Sequence, residues 1–549
     1  TETLLEGIES WGLEVVLKKI VGMFAFVLWD KKIRTLILAK DRMGEKPLYF
    51  GWQGKGINKV FIFGSELKAL RAHPEFRGEI NRDAIALQLR HSYIPSPYSI
   101  YKHIYKLRPG NYLQLNENDL QVGLLPNSKP YWSVVDAAVS GVNNLPPLSE
   151  ENIKSDLEKL IQSSIKQQMM ADVPLGAFLS GGVDSSTVVA LMQKTSSQPI
   201  KTFTIGFNEG DYNEANYAKK VAKHLGTDHT EMYVSAEQAM AVIPKLSTIY
   251  DEPFSDSSQI PTFLVSELAK KKVTVSLSGD GGDELFCGYN RYIESNNLWK
   301  KLRLIPLPFR KKLASLIESI SPQTWNKLSK LLPDLNNHAN FGDKMHKGAS
   351  VLDCKELSDL YYRLVSHWQN PNEIVLNSRE PDTLLTGYKP EFPGLNSIQK
   401  MMTLDCITYL PDDILVKVDR AAMATSLETR TPFLDHRIVE YAYKIPQSFK
   451  LKNGQGKWIL REILQKYVPK NLIERPKMGF GVPINTWLRG PLKDWAESLL
   501  SETRLRQEGY LNPDLIRIKW NEHLSGKKNW QYHLWDVLMF QAWHDTNHK

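Results

Sequence analysis

Residues 176–192, GAFLSGGVDSSTVVALM, constrain what this chain can fold into more than any other stretch. A short apolar run gives way to two glycines, an aspartate and two serines, and apolar residues resume at Val188, Val189 and Leu191. That order predicts a strand ending near Leu179, a tight turn, and a helix starting around Ser185, which is the opening of a parallel α/β unit. Gly181 and Gly182 permit close backbone approach, and a helix start presents unpaired N–H groups, so the turn suits a phosphate. The hydroxyls of Ser180, Ser185 and Ser186 add donors; the plainer alternative is a strand-turn-helix whose serines merely cap the helix. The lysine of GxxxxGK[ST] is absent, which argues against ordinary γ-phosphate chemistry and favours a site for a departing pyrophosphate. Asp184 would repel phosphates unless Mg²⁺ bridged them, since a hard cation takes carboxylate and phosphate oxygens together.

A second stretch, LSGDGGDELFCGY (277–289), also follows a strand and repeats the Ser-Gly opening. It carries Asp280, Asp283 and Glu284 to a strand's C-terminal edge, where open α/β sheets bind ligands. Two glycine-rich acidic loops at two strand ends imply one crevice with a Mg-nucleotide between them, although a single acidic residue in such a loop is more often a turn former.

The rest of the chain places these loops. With 549 residues, two or three domains are expected, because single cores stop growing at roughly 250–300 residues. From Val21 to about Tyr131, runs such as GMFAFVLWD, TLILAKD and KVFIFGSE read as short strands of an antiparallel module. DAAVSGVNNLPPLSEEN reads as a linker. Ile153, Leu157, Leu160, Ile161 and Ile165 then trace a helix face, KTFTIGF and KVTVSLS are further strands, and the region from about Trp299 is largely helical. The net charge of +8 comes from 69 basic and 61 acidic residues with no concentrated run, which argues against nucleic acid as a partner. Three scattered cysteines with no CxxC pair imply neither a disulfide framework nor a zinc site and fit a cytoplasmic location. No apolar run approaches the roughly 18 residues of a bilayer span, so no membrane partner is expected.

SGGVDSS, SGDGGDELFCGY, DDILVKVDRAAMATSLETRTPFLDHRIVEYA and GKWILREIL, in this order, resemble the synthetase domain of asparagine synthetases, members of the ATP-pyrophosphatase (PP-loop) superfamily. GMFAFVLWDKKIRTLILAKDRMGEKPLYF and FGSELKAL resemble the later part of that family's N-terminal glutaminase domain, an N-terminal-nucleophile fold. The resemblance implies a β-rich remainder of a glutamine amidotransferase type-2 domain over 1–132, a linker over 133–150, and a parallel-sheet α/β synthetase domain with a helical C-terminal part over 151–549. The family's catalytic cysteine, first residue of its mature chain, has no counterpart here. The sequence is therefore expected to be a fragment, using ammonia as written and glutamine in the complete protein.

The implied reaction is ATP-dependent conversion of aspartate to asparagine through β-aspartyl-AMP, releasing AMP and pyrophosphate. By resemblance, Leu179, Ile205, Ser278 and Gly279 contact adenosine, while Ser180, Gly182 and Ser185 grip the pyrophosphate. Asp184 and Asp283 hold Mg²⁺, Asp280 serves formation of the intermediate, and Lys457 offsets charge on the phosphates. Asp256, Ser257 and Ser258 are candidates for the amino-acid pocket, where some relatives carry threonine and arginine instead. Arg420 and Arg430 are candidates for ion pairs or substrate contacts. Cys287 replaces the family's usual glycine and is expected to be a buried hydrophobe, and His224 and His229 to pack or face solvent. A homodimer is expected by analogy. The alternative within the family is an amidotransferase for a different carboxylate; tRNA modification lacks its basic surface, and a silent nucleotide-binding scaffold has no use for two metal-positioning carboxylates.

Overall fold

A computed structural model describes all of the chain except residues 145–148, 208–213, 330–340, 388–389, 475–480 and 548–549. Its centre is a five-stranded parallel sheet in the order β10-β9-β8-β11-β12, formed by Leu175–Phe178 (β8), Lys201–Phe207 (β9), Asp228–Val234 (β10), Val275–Leu277 (β11) and Glu428–Arg430 (β12). Both faces are covered. On one side Phe203, Ile205 and Phe207 of β9 pack into a core that reaches the C-terminal helices through Trp520, Trp535 and Trp543. On the other, Ala177, Val275 and Leu277 meet Leu157, Ile161 and Ile165 of the helix Glu150–Gln168 and Val188 of the helix Val183–Thr195. Alternate residues of β9 thus feed one core, as the two-residue period of a strand requires.

Two strands escaped the sequence reading. Glu428–Arg430 is three polar residues inside a region read as helical, and it becomes a strand only because β11 offers an open edge. Asp228–Val234 is a half-exposed edge strand whose polar residues hide the pattern. The first helix of the nucleotide-type unit begins at Val183, with Gly182 as its N-cap, two residues earlier than the sequence predicts. Ser186 is fully buried on that helix, away from the turn.

The N-terminal module holds two antiparallel sheets where one was expected. Ala25–Asp30 (β1), Thr35–Lys40 (β2), Asn111–Asn116 (β6) and Lys129–Pro130 (β7) form the first; Tyr49–Gln53 (β3), Val60–Gly64 (β4) and Ile104–Lys106 (β5) form the second. The two sheets meet through Leu38, Leu113 and Leu115 of the first and Phe50 of the second, and the buried helix Arg82–His91, whose cap residue Asn81 accepts from Asp83 N–H, packs with Tyr49 and Ile62 into the core shared with the C-terminal helices. The segment read as a linker contains the helix Val134–Asn143, capped by Ser133; its proline pair lies outside the described residues.

The module closes onto one helix of the larger part, Leu415–Ala424, and the π-helical turn Leu410–Ile414 before it. Asp412 accepts from Ser96 N–H at 2.8 Å and Ser96 Oγ at 2.6 Å, Asp419 pairs with Lys46 at 2.6 Å, and Arg420 donates to the Ser65 carbonyl at 2.7 Å. Lys46 belongs to a turn organised by Asp41, whose carboxylate accepts from the N–H groups of Gly44, Glu45 and Lys46.

Candidate active site

Strands β8 and β11 are direct neighbours in register, Leu277 opposite Ala177, so their C-terminal turns emerge side by side. Because β9 lies on the far side of β8, this is where the strand order reverses and a crevice opens. The turns touch. A methyl group added at Gly279 would fall 2.8 Å from the Ser185 nitrogen, and one added at Gly282 would fall 2.5 Å from Asp184 Cγ. Only glycines at these positions let the two turns close on each other. Gly181 adopts φ +74°, and a side chain there would also strike the backbone of Tyr217 and Ala218.

In the first turn, the Ser180 and Ser185 hydroxyls lie 3.0 Å apart, and Ser180 Oγ accepts from Gly182 N–H at 3.3 Å. Leu179 and Ile205 bury their side chains in the two cores, which leaves their backbones to border the crevice. In the second turn, Ser278 N–H donates to the Arg430 carbonyl at 2.8 Å, which holds the turn to β12, and the Ser278 hydroxyl donates to Asp280.

Lys457 ties the two turns together. It precedes the helix Trp458–Leu464 with φ +56°, and its N–H donates to the Phe286 carbonyl at 2.9 Å. Its ammonium bonds to Asp184 and lies 2.7 Å from Asp283, one carboxylate from each turn. Burial alone would lower the lysine's pKa, but the two carboxylates outweigh it and push it up, so it is a firm cation. Gly288 makes room for the pair: a methyl group there would sit 2.0 Å from Asp283 Oδ1 and 2.1 Å from Lys457 Cε.

Around this pair the charge is strongly negative. Burial pushes the Asp280 pKa up against the pull of Ser278 and Lys417. Glu284, which accepts from the Tyr289 hydroxyl at 2.7 Å, is pushed up to about 7 by burial and then by Asp283. Two oxygen-donor carboxylates that share one cation suit a hard divalent ion. Among the described residues no cluster of three or more His, Cys, Asp or Glu side chains is gathered for a metal, so further ligands would come from phosphate or water.

Asp256, Ser257 and Ser258 lie beside the crevice. Asp256 accepts from Ser258 N–H at 2.8 Å and Ser258 Oγ at 2.7 Å, and pairs with Lys417 at 2.7 Å. Burial opposes its ionisation, but Lys417 and Ser258 hold its pKa down to about 2. Burial, then the neighbouring Asp256 charge, pushes Asp413 well upward. Ser257, Asp256, Asp413, Arg291 and Tyr409 line a cavity of about 210 Å³.

Lys417 and Gly288 were not singled out from sequence. The four-residue spacing of Asp413 and Lys417 was a usable sign of a shared helix face. Nothing local marks Gly288, whose neighbour Lys457 comes from a distant segment. Arg420 and Arg430 make structural pairs, with Glu66 at 3.1 Å and Glu428 at 2.7 Å. His229 bonds Thr202 and His224 the Tyr467 carbonyl. Cys287 is buried, and burial pushes its pKa up to about 11, far from a reactive thiolate.

Comparison with known proteins converges on one family. The asparagine synthase family profile matches residues 156–545, and that of a glutamine amidotransferase domain matches residues 1–132. The chain is 32% identical over 562 residues to glutamine-hydrolysing asparagine synthetase 1 of Bacillus subtilis (strain 168), covering 100% of this chain and 81% of that protein. It is 32% identical over 557 residues to a putative glutamine-hydrolysing asparagine synthetase of Mycobacterium tuberculosis (strain ATCC 25618 / H37Rv), covering 99% and 79%. With putative asparagine synthetase 2 of Methanocaldococcus jannaschii the identity is 38% over 444 residues, covering 77% and 76%.

Proposed function

This chain belongs to the asparagine synthase family, and from that premise we propose that its ATP-dependent synthesis of asparagine takes place in the crevice between the turns after β8 and β11. The β-carboxylate of aspartate attacks the α-phosphorus of ATP, the bond to pyrophosphate breaks, and β-aspartyl-AMP forms. Ammonia, supplied as such or from glutamine, then attacks the activated carbonyl, loses a proton and expels AMP. Activation is needed because a carboxylate oxygen is a poor leaving group.

Each residue's role follows from its place. The N-terminus of the helix Val183–Thr195, with Gly182 N–H and the Ser180 and Ser185 hydroxyls, faces the leaving pyrophosphate. The two serines, bonded to each other in the free protein, exchange that bond for phosphate oxygens. The backbones of Leu179, Ile205, Ser278 and Gly279 border the adenosine. Asp184 and Asp283 would hold Mg²⁺, which when bound neutralises charge on the phosphates. Lys457 then turns its ammonium from the carboxylates to the phosphates. Asp280, held by Ser278 and drawn by Lys417, stands where the acyl group is activated. Lys417 and Asp256 shape the acceptor side, where Ser257 and Ser258 border the amino acid. A homodimer in the cytoplasm completes the reading by family analogy.

The observation that carries this reading is that one ammonium, Lys457, is shared by one carboxylate from each turn. The test is pyrophosphate release with ATP, aspartate and ammonium, with the product identified by mass, across a panel of acids. Asp184→Ala and Asp283→Ala should each cost on the order of a hundredfold or more. Aspartate turnover no higher than the acid-free control would remove aspartate as the acceptor, and near-normal rates in both variants would remove the crevice.

A further inference from the structure

The helix Leu307–Ser319 carries two apolar faces. Its inner face is fixed: Ala314 and Ile317 pack against Ala349, and buried Arg310 donates to the carbonyls of Ile305, Leu352 and Cys354 at 2.8–3.1 Å. The second face, Phe309, Leu313 and Leu316, repeats at i, i+4 and i+7 and points to solvent, with Leu304 and Ile305 just before it. These five side chains are 41–79% exposed, a concentration that soluble surfaces rarely leave uncovered. Flanking them, Lys300, Lys301, Arg303 and Lys312 are all exposed, and none forms an ion pair with an acidic side chain among the described residues. Glu318 is the one acidic residue between Trp299 and Ser319.

We propose that this face docks on an anionic lipid bilayer, its apolar stripe entering the headgroup boundary and its four cations meeting lipid phosphates. An interfacial helix of this kind lies on a membrane and needs no spanning length, so it is compatible with the lack, among the described residues, of any helix long and apolar enough to cross one. The charge pattern selects this occupant over a second copy of the chain. A two-fold contact through this face would set four unpaired cations against four more, and five apolar side chains fall far short of the roughly 20–30 residues a side of a stable interface. The helix Asn290–Leu302 runs straight from the turn holding Asp283 and Gly288 to this face, so docking would bring the crevice within about 20 Å of the lipid, the length of that helix. The inference stands apart from the assignment of the crevice.

The test is co-sedimentation of the full chain with vesicles of equal parts phosphatidylglycerol and phosphatidylcholine, against vesicles of phosphatidylcholine alone, at low and high salt. Binding to the anionic vesicles only, released by salt, is expected. Arg303→Gln with Lys312→Gln should weaken partitioning roughly fivefold per charge removed, and Phe309→Glu with Leu316→Glu should weaken it more than tenfold. Pyrophosphate release should stay unchanged in all variants, which shows that they fold. Absence of binding, equal binding to neutral vesicles, or indifference to the substitutions would overturn the proposal. So would a lipid-free doubling of mass in sedimentation velocity that Phe309→Glu with Leu316→Glu abolishes.

Discussion

Replacing Lys457 with methionine should raise metal affinity while it lowers turnover. The ammonium now occupies the position that a dication bound by Asp184 and Asp283 would need, 2.7 Å from the second carboxylate and closer to the first. A dication placed there must displace the ammonium, and even at about 5 Å apart the two would repel by about 6–7 kcal/mol at an effective dielectric of about 20. Rotation of the side chain relieves most of this, so a tenfold gain in affinity, about 1.4 kcal/mol, is a floor. Without metal the variant should be less stable, by about 3 kcal/mol or less, because two partly buried carboxylates lose their counter-charge. Turnover should fall on the order of a hundredfold or more, since the cation that meets the phosphates is gone. The assay is Mn²⁺ binding followed by the free-ion electron paramagnetic resonance signal, without nucleotide, beside pyrophosphate release and circular dichroism. A folded variant whose Mn²⁺ affinity is unchanged or weaker would refute the idea that Lys457 holds the metal position in the free protein.

Gly288→Ala should lose activity at least a hundredfold with an unchanged circular dichroism spectrum, because the added methyl group overlaps both Asp283 and Lys457; rates within threefold of wild type would show that the pair is not needed. Glu284 has a folded pKa of about 7, above its unfolded value, so its ionisation disfavours the fold increasingly from about pH 4.5 to 7 and constantly above. Glu284→Gln should therefore be neutral at pH 4 and stabilising above pH 7, by about 2–3 kcal/mol in urea unfolding; a gain independent of pH would contradict the shift. Asp256, held at about 2, contributes stability fully present above about pH 4 and lost as pH falls toward 2. Asp256→Asn should cost about 2 kcal/mol at neutral pH, and the difference from wild type should close across that acid window.

The two glycine-rich turns were legible because their signal is local: an apolar run, glycines where the backbone must approach something, and a helix directly after. What joins them was not. Lys457 reads as an ordinary surface lysine until the fold brings Asp184 and Asp283 to it, and Gly288 has no role that its neighbours in sequence explain. The parallel sheet was legible at β9 and β11, whose β-branched and aromatic residues are buried, and at β8 from the apolar run before its turn, and illegible at both edges. Asp228–Val234 keeps polar residues for solvent, and Glu428–Arg430 owes its conformation to the strand beside it. In the N-terminal module, Arg82–His91 is buried on all sides, so the alternation that distinguishes a surface helix is missing.

The helix Leu415–Ala424 and the turn before it serve two masters. Asp412, Asp419 and Arg420 answer to Ser96, Lys46 and Ser65, while Asp413 and Lys417, within one 5.4 Å pitch of them, answer to Asp256 and the cavity beside the crevice. Such a rod is a seam stitched from both sides. Chimaeras that trade the amino-terminal module between relatives at the connecting segment would inherit mismatched stitches, and a graft that works will have to carry the outward residues of this rod along with it.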